Sequence, residues 1–65
     1  MAAADYQIVI EGHLGRASRQ AFADLDVEQI DGHTTLTGCL DQRLLFDVLH
    51  RIQGLALDLV AITRV

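Results

Sequence analysis

The chain predicts an α+β domain whose elements run strand, helix, strand, strand, helix, strand. Three observations carry that prediction. Residues 6–11 alternate at period two, Asp31-Gly32 lies between two strand-like stretches, and an apolar stripe of helical spacing runs from Leu44 to Ile52.

In the first element Tyr6, Ile8 and Ile10 share one side and Gln7, Val9 and Glu11 the other, the pattern of a half-buried strand. Residues 1–5 before it are expected to form a disordered tail. Gly12-His13-Leu14-Gly15 breaks the strand, because two glycines bracket a tight change of direction. A short helix over 16–24 follows, with Ala17, Ala21, Phe22 and Leu25 on one face and Ser18 as a candidate cap. Phe22 is its only large anchor. Residues 26–31 read as an edge strand whose acidic side chains discourage unwanted pairing, although Val27 and Ile30 fall on opposite faces.

Asp31-Gly32 is a hairpin signal. The strand beyond it, 34–40, sets Thr34, Leu36, Gly38 and Leu40 on one face, and Gly38 in mid-strand marks a bulge or the close approach of a helix. Asp41 then caps a second helix whose face is Leu44, Leu45, Val48, Leu49 and Ile52. Gly54 stands where that helix needs a left-handed residue to end, with Leu55 beyond it for the accompanying contact. Residues 56–63 form a last strand with apolar residues on both faces. Two strand–helix–strand units with antiparallel pairing between them make the split βαβ, or ferredoxin-like, sandwich. Both helices then cover one face of a four-stranded antiparallel sheet, with strands one and three central. Residues 6–65 are one domain.

Composition narrows the function classes. Sixty-five residues allow one domain with a small core, so disulfides, metals or oligomerisation are the expected supplements. A single cysteine, Cys39, excludes an internal disulfide and points to a reducing compartment. Nine carboxylates against five arginines and no lysine give a net charge of −4, which argues against nucleic acid. The first residues lack the basic flank and apolar run of a signal peptide, and no apolar stretch reaches membrane-spanning length. A cytoplasmic protein without a membrane span is the expectation.

Placing Ile8, Ile10, Leu36, Leu40, Leu57 and Leu59 under the helices sends Val9, Cys39, Val60 and Ile62 to the opposite face, beside Thr35 and Thr37. A helix-free face that is partly apolar reads as a contact surface, for a second copy or for a larger client protein. The alternative is a scatter of apolar residues such as any surface carries.

Candidate chemistry is sparse. His13, His33 and His50 fall at one end of this topology, where imidazoles ligate metals, but solvent-exposed histidines are the favoured reading and no cofactor or metal is expected. Asp24, Asp26, Glu28 and Asp31 precede Gly32, yet Gln29 takes the position where a calcium loop needs glycine, so a solvated acidic edge is favoured. The loop Gly12, His13, Gly15 lies where phosphate loops lie but lacks their glycine spacing and lysine. Cys39 has no basic neighbour in sequence, and Ser18 has no specific partner. No catalytic residue is assigned.

The pattern Tyr6-x-Ile8-x-Ile10-x-Gly12-x-Leu14, then Phe22, Thr35-Leu36-x-Gly38, Asp41-Gln42-x-x-Leu45-x-x-x-Leu49-x-x-Ile52 and Leu55-x-Leu57-x-Leu59-Val60 resembles a group of very short actinobacterial proteins. That resemblance covers nearly the whole chain and implies a ferredoxin-like fold without an assigned activity. Gly32-x-x-x-Leu36-x-Gly38 with the following helix is more loosely similar to the BON domain, an αββαβ-type module linked to membranes and phospholipids. The functional expectation is a non-catalytic interaction or accessory module that dimerises through the open sheet face. The alternatives are a small-molecule-sensing module similar to ACT domains, using the Gly12–Gly15 loop, and a small metal-dependent enzyme using the histidines.

Overall fold

The computed structural model describes residues 3–65. Along the chain lie β1 (Ala4–Glu11), α1 (Arg16–Gln20), β2 (Asp26–Ile30), β3 (His33–Leu40), α2 (Gln42–Gly54) and β4 (Leu59–Arg64). The sheet order is β2-β3-β1-β4 with every neighbouring pair antiparallel. This is the ferredoxin-like βαββαβ sandwich that the sequence predicts. The central position of β1 departs from the αββαβ order of the BON likeness.

β1 starts two residues earlier than its alternation suggests, because Ala4 and Asp5 pair with Leu40 and Cys39. Of the expected tail, Met1 and Ala2 lie outside the described residues. The β2–β3 hairpin turns on two residues, since Ile30 pairs with His33. Both Asp31 (φ 51°) and Gly32 (φ 78°) are left-handed, as a type I′ turn demands.

α1 is shorter than the expected 16–24. Its N-cap is Gly15, which supplies no side-chain bond, so Ser18 is not the cap. Ala17 is exposed. With no branched or long apolar side chain inside it, the helix gains little from burial and gives way to a turn after Gln20. That turn drops Phe22 and Leu25 into the core.

α2 is specified at its start by Asp41, whose carboxylate accepts from the Leu44 N–H at 2.8 Å. Leu45, Val48, Leu49 and Ile52 form its inner stripe at i, i+3, i+4 and i+7. Leu44 stands about 100° round the helix from Leu45, off the stripe, and is exposed rather than packed. Gly54 is the last helical residue and not the left-handed one. The chain reverses at Ala56 (φ 57°), where Ala56 N–H donates to Gln53 O and Leu57 N–H to Ile52 O. These are the two bonds of a Schellman ending, with Leu57 packed against the core near Ile52. The motif is the expected one, two residues later.

The core collects Ile8, Ile10, Leu36 and Leu40 from the sheet, Leu14 from the first loop, Phe22 and Leu25, and Val48 and Ile52. Thr34 is the one buried polar residue among those described, and its hydroxyl donates to Gly12 O at 2.8 Å. Gly38 marks a close approach and not a bulge. A Cβ there would collide with the Cδ2 methyl of Leu25.

Candidate functional site

Paired residues on neighbouring strands share a face, so the register assigns every strand position. In β1 and β3 the odd-numbered residues leave the helix layer. Asp5 lies opposite Cys39, Gln7 opposite Thr37, Val9 opposite Thr35 and Glu11 opposite His33. From β2 the open face takes Asp26, Glu28 and Ile30, whereas Val27 and Gln29 turn toward the helices.

Val9, Thr35, Thr37 and Cys39 are therefore on the face where the sequence places them. Ile62 is not. It pairs with Ile8, a core residue, so its side chain lies on the helix side. The cause is a bulge: Ala61 pairs with Val9 and Leu59 with Ile10, leaving Val60 as an extra residue between them. One inserted position reverses the alternation, so the open face receives Ala61 and Thr63 from β4 instead.

The bulge changes the character of the face. Its middle rows read Glu28, Thr35, Val9, Ala61 and Asp26, Thr37, Gln7, Thr63, which is largely polar. The apolar surface is gathered at β4. All six residues of that strand are exposed, with Leu59 at 45%, Val60 at 51% and Ile62 at 39%. α2 also exposes Phe46, at 53%, on the opposite flank of its buried stripe from Leu44.

Four backbone groups of the candidate loop Gly12, His13, Gly15 have partners inside the protein. Gly12 N–H donates to Gly32 O at 2.7 Å, and Gly12 O accepts from Thr34. Leu14 O accepts from Gln29 Nε2, and Gly15 O accepts from Arg19 N–H. Gly12 has φ +81°, a left-handed turn that suits glycine. These bonds brace the first loop against the β2–β3 hairpin.

The histidines are distributed. His33 lies beside Glu11 on the open face, Nε2 to Oε2 3.4 Å, while His13 is exposed in the loop and His50 on α2. Among the described residues no group of three or more His, Cys, Asp or Glu side chains is arranged to hold a metal ion. Cys39 is a free, exposed thiol.

The acidic run splits between different tasks. Asp26 and Glu28 face outward from the sheet, Asp31 makes the hairpin, and Asp24 meets Arg51 at 3.0 Å. Arg51 also donates to Ala21 O and to Asp47, tying α2 to the turn after α1. The Arg51 hydrogen bond holds the Asp24 carboxyl below its ordinary value, and the same bond raises Arg51.

Charge is segregated across the sheet, a feature that reading the elements one at a time misses. Asp5, Glu11, Asp26 and Glu28 lie on the open face, which carries no arginine. Arg16 and Arg19 lie on α1 and Arg43 and Arg51 on α2, while Arg64 pairs with Tyr6 on the helix side. The signal was present as alternation: acids at odd positions of β1 and at even positions of β2.

No helix among the described residues is long and apolar enough to cross a membrane. Comparison with the curated proteins and with the solved structures returns no match. The family model described as "Domain of unknown function (DUF8691)" matches residues 5–63, and the chain belongs to that family.

Proposed function

We propose that the chain is a non-catalytic interaction module that works as a homodimer, two copies joining along their β4 edges into one continuous sheet. The observation that carries this reading is that all six residues of Leu59–Arg64 are exposed, an edge strand bearing Leu59, Val60 and Ile62 with neither helix over it. An uncovered apolar edge is a template for pairing with another chain.

The strand suits a second copy of itself. Val65 N–H donates to Asp5 O, so by alternation Thr63 and Ala61 also direct their backbone groups at β1. Ile62 and Arg64 direct theirs outward. A two-fold axis through Ile62 sets Ile62 against its copy, Ala61 against Thr63, and Arg64 across from Val60. Arg64 is the only charged residue of β4, so no like charges meet. Pairing through the open faces, the arrangement expected from the sequence, would set four carboxylates against four.

Sedimentation equilibrium is the test. The wild type is expected at twice the 7.1 kDa chain mass, and Ile62→Lys at the single-chain mass with unchanged far-ultraviolet circular dichroism. A wild type that stays at 7.1 kDa at every concentration, or a dimer indifferent to the lysine, overturns the reading.

A further inference from the structure

We infer that the helix-free sheet face is a docking surface for an extended basic protein segment, one rich in arginine or lysine. The face is unpartnered, flat and acidic, and the five arginines lie with the helices, so its potential is not cancelled locally. The spacing of the charges selects the kind of partner. Asp5 and Glu11 are six residues apart on β1, roughly 20 Å. Asp26 and Glu28 lie two strands away on β2, roughly 10 Å from β1. A single small cation reaches one or two of these carboxylates. A chain with spaced guanidinium or ammonium groups reaches all four, while Thr35, Thr37 and Gln7 between them offer hydrogen bonds.

Other occupants fit worse. Phosphate backbones and anionic lipid surfaces carry the same sign as the face, and so does a second copy of it. Its size points the same way. Four strands of up to eight residues present roughly 400 Å², about half of what each partner buries in a stable complex. That suits a reversible, salt-sensitive contact. In the β4 dimer the two open faces would lie on one side of the joined sheet, doubling the platform. The acidic face does not depend on that dimer.

The probe is a fluorescein-labelled peptide of alternating arginine and serine, followed by anisotropy at low ionic strength. The wild type is expected to bind, and the Asp26→Asn, Glu28→Gln double variant to bind about tenfold more weakly. A control, Asp41→Asn with Asp47→Asn, removes the same formal charge from α2 and its cap, on the helix side of the sheet, and is expected to change affinity less than about twofold. Equal weakening by the two pairs would mean that net charge alone attracts the peptide and would overturn the proposal. So would a wild type that does not bind, or a double variant that binds unchanged. The same titration on Ile62→Lys separates the two proposals, because loss of the dimer leaves the acidic face of each copy intact.

Discussion

Gly38 concentrates the packing problem of so small a core. It lies mid-strand opposite Tyr6, and the space its missing side chain vacates is filled by Leu25, which arrives from the turn after α1. Because Leu25 is itself buried among core residues, it has little room to withdraw. Gly38→Val is therefore expected to cost about 1–3 kcal/mol through overpacking, against the modest gain a β-branched residue brings to a strand. Urea denaturation of the variant measures it, and an unchanged midpoint would mean that Leu25 swings aside freely. The glycine was legible in the sequence as a bulge or the close approach of a helix; that Leu25 fills the space was not, since nothing in the local pattern ties residue 25 to residue 38. Thr34 shows the same limit. Its inward position followed from alternation, but its satisfaction by Gly12 O required the fold.

At the scale of elements, the strongest local signals were the most faithful. Asp41 with the stripe Leu45 to Ile52 specified α2, and Asp31-Gly32 specified the hairpin, because cap, turn and periodicity agreed there. The end of α2 misled. Gly54 has the residue type a left-handed position favours, yet the chain carries the helix through it and reverses at Ala56. Burial of Leu57 accounts for the choice. Reversal at Ala56 makes Leu57 the residue that packs back toward Ile52, whereas reversal at Gly54 would turn Leu55 back toward the exposed His50. An alanine with φ 57° carries a Cβ penalty that glycine does not. Ala56→Gly is accordingly expected to stabilise the domain by about 0.5–1 kcal/mol, less what the unfolded chain gains in entropy. A chemical-denaturation midpoint that falls would place the helix end elsewhere. β4 misled for a different reason. Its residues are apolar on both sides of the bulge, so no change of polarity betrays the inserted Val60, and every face assignment beyond it is reversed.

For the whole molecule the question is how 65 residues suffice. A free domain of 7.1 kDa is expected to expose about 4,100 Å², and this chain exposes 4375 Å². The surplus is small. If the β4 edge is closed by a second copy, stability and association become one equilibrium, and the melting temperature must depend on protein concentration. Each tenfold rise in concentration then adds about 1.4 kcal/mol per dimer. With an unfolding entropy of roughly 2.1 cal/mol/K per residue over both chains, that is a rise of about 5 °C. The wild type is expected to follow this slope in a dilution series by calorimetry, and Ile62→Lys to melt at one lower temperature throughout. The same series tests the fold's self-sufficiency. A flat wild-type line would show that the nine apolar side chains buried among the described residues, with Arg51 tying α2 to the turn after α1, hold the domain together without a partner. A slope that survives in Ile62→Lys would move the contact away from β4, and the exposed Phe46 on α2 would be the next surface to mutate.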